Sequence, residues 1–409
     1  MRVLFLSLSV LCSSHFAFAD TTNPSITPEV KTEINTPSPS NEVTLLFAGD
    51  AMQHAAQFKS AYNPKTKQYE YDDNFIHLNP IIEKADIAVV NLETTLGGKP
   101  YKSFPQFSSP DNFAKQLQQS GFDIVMLANN HSNDSWQRGV NRTIDVLDEI
   151  EFAHAGTYKS KEEHDSNTPL MIKKNGLNLA FLNYTFATNG IASVFDEQTK
   201  RISFNQMRID IRKAKAKKAD SIIVYIHWGD EYKTQISQYQ KDVANFLIDS
   251  QVDLIIGSHP HVIQPMIWQK PAKKQHEYLI AYSLGNFISN QRDLQQTGGA
   301  LLQVTLKKTK AKTNIQNAGY YLTFVNRAQL ETKFQHQVLP ARLFERQIDA
   351  LQWDQYGMLL KYVVWANNFL NENNVNVPEF QYQNKKWVLN KAQSDPLEIE
   401  PTQDKGQEK

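Results

Sequence analysis

Seven short apolar runs recur along the first three quarters of the chain, and most end in polar residues. They are "VTLLFAGD" (Val43–Asp50), "DIAVVNLE" (Asp86–Glu93), "FDIVMLANNH" (Phe122–His131), "LNLAFLNYT" (Leu177–Thr185), "SIIVYIHWGDE" (Ser221–Glu231), "VDLIIGSHPH" (Val252–His261) and "YLIAYSLGNF" (Tyr278–Phe287). Runs of this length and composition predict strands buried on both faces. Helical patterns fall between them at Pro110–Ser120, Val140–Ile150, Asn205–Lys218 and Gln238–Ser250. Ser109 is placed to cap the first of these, and Pro110 suits its first helical position. Strands alternating with helices predict an α/β fold with a largely parallel sheet. After Ala300, "LLQVTLKKT" and "GYYLTFVN" predict a hairpin of more exposed strands. The segment "ARLFERQIDALQWDQYGMLLKYVVWANNFL" then predicts a C-terminal amphipathic helical extension whose apolar stripe is packing surface.

The two ends have a different texture. Residues 1–19 combine Arg2, an apolar stretch from Val3 to Leu11 and an Ala17-Phe18-Ala19 cleavage pattern, which predicts an export signal. The apolar stretch is far short of the ~20 residues that span a bilayer. Residues 20–42 read as a flexible leader, and 393–409 as a disordered polar tail. The main domain is expected over 43–338 and the helical extension over 339–392, in a protein exported to the periplasm or medium and not membrane-spanning once mature. Lys+Arg and Asp+Glu both number 43, a balance that argues against nucleic acid as a partner. The single cysteine, Cys12, lies inside the signal, so neither a disulfide nor a thiolate zinc site is expected.

Charge and cysteine exclude; the strand ends point somewhere. Six of the seven runs finish in side chains suited to chemistry or turns: Asp50, Glu93, Asn130 with His131, His227 with Glu231, His259 with His261, and Gly285 with Asn286. In parallel sheets the carboxyl ends of strands border the ligand crevice, so these groups are expected to converge. Imidazoles mixed with carboxylate and amide oxygens suit divalent ions such as Mn, Fe or Zn. The set exceeds the needs of one tetrahedral ion and suits a pair about 3.5–4 Å apart, an arrangement that activates water and clamps a phosphoryl group.

Taken in order, "FAGDAM", "VVNLETTLG", "MLANNHSND", "YIHWGDEY", "IIGSHPHVIQP" and "YSLGNF" resemble the poly-γ-glutamate capsule-synthesis (CapA-like) family of the calcineurin-like metallophosphoesterase superfamily. The resemblance runs from Val43 to Asn290 and implies a four-layer α/β/β/α sandwich with two divalent metal ions at the sheet edge. It implies Asp50 and His261 as ligands of a first metal, His227, His259 and Asn130 as ligands of a second, and Glu93 as the bridging carboxylate. His131 matches the residue that protonates the leaving oxygen. Glu231 belongs to the family pattern and is assigned to a metal or to recognition of a substrate amine. The chain departs from the superfamily where Met52 replaces a ligand histidine, with His54 four residues beyond Asp50 as a possible substitute. Ser132 stands where a carboxylate often follows the catalytic histidine, leaving Asp134 to orient His131, and Glu93 replaces the usual aspartate.

Around this set, Asn129 and Ser258 are expected to satisfy backbone groups in tight turns. Arg138 is a candidate partner for an anionic substrate, and Trp136 a packing residue. Asn286 is a candidate substrate contact, although Ser283, Gly285 and Asn286 together read first as loop-shaping. Lys99, Tyr101 and Lys102 read as a solvated loop with a polyanion path as the alternative, and Lys213–Lys218 as an exposed helix face. Three functions follow: a phosphoesterase-like hydrolase using a metal-activated hydroxide and His131 as general acid, a non-catalytic binding or export factor for an anionic polymer, and a hydrolase or transferase acting on γ-glutamyl or cell-wall amides. The expected partners are that polymer or a phosphoester or peptide substrate, together with capsule-synthesis membrane proteins.

Overall fold

A computed structural model describes residues 41–270, 276–310, 312–331 and 333–390. The expected export signal, nearly all of the leader and the polar tail lie outside these residues. The chain begins β1 (Glu42–Ala51), α1 (Ala55–Ala61), the small pair β2 (Tyr62–Asn63) and β3 (Gln68–Tyr69), α2 (Asn79–Ile82), β4 (Ile87–Leu92), α3 (Asp111–Gln119), β5 (Ile124–Met126), α4 (Trp136–Glu149) and β6 (Ala153–Ala155). It continues through α5 (Lys161–Asn167), β7 (Leu170–Lys174), β8 (Leu177–Thr185), α6 (Phe204–Ala216), β9 (Ser221–His227), α7 (Gln238–Asp249), β10 (Leu254–Ser258), β11 (Met266–Gln269) and β12 (Tyr278–Ala281). It closes with β13 (Asn286–Ile288), β14 (Gly298–Lys308), β15 (Thr313–Gln329), β16 (Phe334–Pro340), α8 (Ala341–Phe344), α9 (Trp353–Asn373), β17 (Phe380–Gln383) and β18 (Lys386–Leu389).

Among the described residues the main strands form two sheets. One has the order β16-β15-β14-β1-β4-β5-β6 with β13 also on β1, and the other β11-β12-β10-β9-β8-β7. Their centres are parallel, and antiparallel strands flank them. Strand alternation then sorts the apolar residues into layers. Leu45, Phe47 and Val89 face Phe181, Ile223, Tyr225 and Ile256 across the space between the sheets. Their neighbours Leu46, Ala48 and Val90 pack outward on Phe113 and Leu117 of α3 and on Val140, Ile144 and Leu147 of α4. Leu182, Val224 and Ile255 do the same against Met207 and Ile211 of α6 and Val243 and Leu247 of α7. The protein is thus an α/β/β/α sandwich. The helical spacing of those outer residues creates the stripe each sheet needs, and a capping box at Ser237 and Gln240 starts α7.

Several sequence expectations are corrected. The run Phe122–His131 is strand only over Ile124–Met126, and its polar end is a tight loop. The Tyr278–Phe287 run divides, with β12 in one sheet and β13 against β1 in the other. That crossing is tight, since a Cβ on Gly49 would lie 1.9 Å from the Gly285 carbonyl oxygen. The helix expected from Val140 begins at Trp136, and that tryptophan is 63% exposed rather than packed. The expected hairpin has a third strand, β16, and the described residues close with a β17–β18 hairpin that periodicity did not reveal. The apolar stripe of α9 is packing surface, as expected: its Leu359, Tyr362, Val363, Ala366 and Leu370 join the inter-sheet core. Among the described residues no helix is long and apolar enough to cross a membrane.

Gly257 lies inside β10, not at its end. A Cβ there would meet the Tyr282 carbonyl oxygen at 2.0 Å and the Trp228 Nε1 at 2.6 Å. The indole needs that position to donate to Tyr282 O at 2.9 Å. Gly257→Ala is expected to cost about 1–3 kcal/mol in chemical denaturation through overpacking alone.

Candidate metal centre

The carboxyl ends of β1, β4, β9 and β10 meet at one edge of the sandwich, held in register by bonds between the sheets. The Tyr225 hydroxyl donates to Ala48 O at 2.6 Å, and Ala128 N–H donates to Asn183 Oδ1 at 2.7 Å. A register shift between Phe47 and Asp50 bends the end of β1 and sets Asp50 beside Asn91 of β4 and Asn286 of β13. Asp50 is fully buried. Its Oδ1 accepts from Asn91 Nδ2 at 2.8 Å, and its Oδ2 lies 3.2 Å from the His259 amide nitrogen and 3.1 Å from His261 Nδ1.

The two histidines are not on extended chain. β10 stops at Ser258, and His259 and His261 have φ of 100° and 58°. These costly left-handed conformations are held by tertiary partners. The His259 amide reaches Asp50, and Pro260 O accepts from Tyr232 N–H at 2.8 Å. The result sends the two rings to different groups. His259 joins Glu93 and His227, His261 joins Glu93 and Asp50, and in each group the ligand-type atoms lie within 4.8 Å of one another. Glu93 is common to both.

Glu93 Oε1 is 3.6 Å from His227 Nε2 and 3.7 Å from His261 Nε2, yet it has no hydrogen-bond partner; neither has His259 Nδ1. Burial, and then the neighbouring Asp50 charge, push the Glu93 carboxyl well above its ordinary range. Burial holds His227 well below the usual imidazole value and His259 down to about 3. His227 Nε2 lies 2.9 Å from Asn130 Oδ1, and its Nδ1 is 2.9 Å from Ser258 Oγ on the adjoining strand.

The loop after β5 carries His131. Its Nδ1 lies 2.6 Å from Asp134 Oδ2, which also accepts from Phe107 N–H at 2.6 Å. Phe107 meets the imidazole edge-on, with centroids 4.6 Å apart. Ser132 ties the loop down, its hydroxyl bonding to Leu127 O and Asn129 O at 2.5 and 2.6 Å.

Other sequence candidates stand apart. Glu231 is exposed, and its negative charge adds, after burial and Asp50, to the upward push on the Glu93 carboxyl. Arg138 is exposed on the first turn of α4. Asn286 is buried, and its amide is committed to Gln291 Oε1 and Gln296 O at 2.8 and 2.9 Å, so it shapes the loop after β13. His54 caps α1, with Nδ1 near Gln57 Oε1 and the Asn290 amide, and belongs to neither group. Met52 is core, its N–H donating to Ile288 O at 2.8 Å. Lys99 and Lys102 are exposed, whereas Tyr101 packs on Tyr69. Asn91 escaped the sequence reading, although it is the lone polar residue of β4, "IAVVNL".

The buried histidines give the metal-free protein a pH dependence. His227, His259 and His336 are all held down by burial, the last also to about 3, against an ordinary value of 6.5. Below about 6.5 the unfolded chain takes up protons that the fold refuses, so stability is present above that pH and is lost as pH falls towards 3. Each group contributes up to about 1.4 kcal/mol per pH unit. The raised Glu93 acts with the opposite sign, favouring the fold below its ordinary 4.5 and losing that contribution as pH rises. Burial lowers His54, His77 and His164 as well, and raises Asp123, Asp253 and Glu379 along with Glu93, so these six histidines outweigh these four carboxyls. Denaturation in chelator is therefore expected to show lower stability at pH 5 than at pH 7.

A two-sheet sandwich whose joined strand ends gather buried histidines and carboxylates defines an α/β/β/α protein with a candidate metal centre. The chain belongs to the family described as bacterial capsule synthesis protein PGA_cap, whose model matches residues 44–291. It is 29% identical over 277 residues to the capsule biosynthesis protein CapA of Bacillus anthracis, covering 65% of this chain and 64% of that one. It therefore spans less than two thirds of that relative's length. It is 27% identical over 314 residues to the PGA biosynthesis protein CapA of Bacillus subtilis (strain 168), covering 75% and 77%. A solved structure, the calcineurin-like phosphoesterase YfkN from Bacillus subtilis, is 13% identical with a TM-score of 0.41, covering 80% of this chain and 97% of that one.

Proposed function

We propose that this chain acts in the biosynthesis of a poly-γ-glutamate-like capsule through a hydrolase-type centre holding two divalent cations. The observation that carries the reading is the pair of orphaned buried atoms, Glu93 Oε1 and His259 Nδ1, set among imidazoles without a donor. An unpaired buried carboxylate is costly, and a cation is the partner its lone pairs fit. His227, His259, Asn130 and Glu93 would hold one ion, and Asp50, His261 and Glu93 the other. Bound there, such ions supply Lewis acidity and lower the pKa of water. The chain's own part is positioning and proton transfer. With Nδ1 donating to Asp134, His131 has Nε2 free to serve a leaving oxygen as general acid.

One observation favours a second reading, in which the centre binds an anionic polymer and turns nothing over. With Met52 in the core, the Asp50 group has three members and the other, counting Asn130, has four. The first ion would then be held less firmly. The purified chain, reconstituted with Mn²⁺, Fe²⁺ or Zn²⁺, separates the readings by elemental analysis followed by assays on generic phosphodiesters and γ-glutamyl amides. Close to two ions per chain with turnover supports the hydrolase. Bound metal without turnover, with polymer binding lost in His259→Ala, supports the binding role. No bound metal defeats both. Capsule-synthesis membrane proteins are the partners this role proposes.

A further inference from the structure

We propose that Asn91 is the positioning residue that holds the two carboxylates and the His131 loop in one frame, an inference that rests on the metal-centre reading. Asn91 is fully buried and sits level with Asp50 on the neighbouring parallel strand. Its amide orientation is forced, because a carboxylate can only accept. Nδ2 faces Asp50 Oδ1 at 2.8 Å and Glu93 Oε2 at 3.4 Å, the first a member of the His261 group and the second common to both groups. Oδ1 accepts from Asn129 Nδ2 at 3.1 Å. Asn129 in turn donates to Leu92 O at 2.8 Å, and its Oδ1 accepts the His131 amide N–H at 3.0 Å. The chain of bonds thus runs from both carboxylates, through two asparagines, to the backbone of the residue that faces the leaving group.

The frame answers two needs of this site. Two buried carboxylates that share one amide donor lie close enough to repel each other, and the donor between them offsets part of that repulsion. Met52 supplies no ligand, so the Asp50 group depends on the aim of the three members it has. Among the described residues, Asn91 provides the side-chain hydrogen bond to Glu93. Partners of this kind typically contribute 10–100-fold to metal affinity. An asparagine present only to fill a strand would contribute to folding and not to affinity.

The test is Mn²⁺ titration of the full metal-stripped chain, with free Mn²⁺ read by electron paramagnetic resonance. Asn91→Leu is the main variant. Asn91→Ser, which keeps a hydroxyl in the strand but cannot span both carboxylates, is the second should the leucine variant not fold. The expected result is Mn²⁺ binding weakened about 10–100-fold, with loss of the exchange-coupled signal of a paired site and unchanged circular dichroism. Variants that bind Mn²⁺ with wild-type constants, whatever their melting temperature, overturn the proposal. A wild-type chain that binds no Mn²⁺ overturns the metal-centre reading beneath it, a result distinct from failure in the variants alone.

Discussion

Glu93→Gln is expected to remove Mn²⁺ from both groups while leaving the metal-free protein at least as stable as the wild type. The two effects have opposite signs for one reason. In the metal-free fold the carboxyl is fully buried, disfavoured in its charged form by burial and then by Asp50, and its Oε1 has no partner. Glutamine is nearly the same size and neutral, so the repulsion disappears on substitution. The same oxygen is the member common to the His227–His259 and Asp50–His261 groups. Removing its charge therefore weakens both, where His227→Ala or His261→Ala would weaken one. An ion present at a hundred times its dissociation constant stabilises a fold by about 2.7 kcal/mol. Calorimetry should show that increment on adding Mn²⁺ to the wild type and none for the variant. A variant that still takes up metal and gains the same increment would remove Glu93 from the centre.

How far the chain's pattern foretells this site depends on which forces set each part. Strand ends were legible because apolar runs, buried on both faces, terminate where polar side chains begin, and that switch is local. Asp50, Glu93, Asn130, His131, His227, His259 and His261 all lie at such switches, and the fold brings them together. The backbone at His259 and His261 was not legible. Their positive φ is stabilised by Asp50 and Tyr232, which lie far away in sequence. Asn91 carried a signal, one polar residue in an apolar strand, but its meaning needed the register that sets it against Asp50. Asn286 reads first as loop-shaping, and its Nδ2 is indeed bound to Gln291 and Gln296, while its buried Oδ1 has no hydrogen-bond partner. Trp136 looked like packing, but α4 begins at that residue and turns it outward.

The layers explain why the candidate centre lies where it does. Parallel β1 and β4 from one sheet and β9 and β10 from the other end at the same edge, so their last residues face one another across the inter-sheet core. The antiparallel strands β14 to β16, with α9 packed on them, widen one sheet. They stiffen β1, which pairs with β14 over Glu42–Phe47, before the register shift that aims Asp50. The C-terminal region thus supports the site through β1, with its own side chains in the core.

His131→Ala is expected to lower turnover by about 10²–10⁴-fold, the range of general acid catalysis, and to leave metal content unchanged. The separation follows from geometry, because His131 belongs to neither candidate metal group. Its ring is held by Asp134 Oδ2 at Nδ1 and by the edge-on Phe107, and its backbone by Asn129. Asp134 Oδ2 is itself fixed by the Phe107 amide, so Asp134→Asn should misorient the imidazole and cost less than removing it. Leaving groups give the sharper readout. A substrate whose departing oxygen is already a weak base, such as a nitrophenolate, needs little protonation, so the alanine variant should lose least there. An alkoxide leaving group needs the proton, and the loss should approach the full range. Equal losses on both substrates, with metal fully bound, would show that His131 holds the substrate and does not deliver the proton.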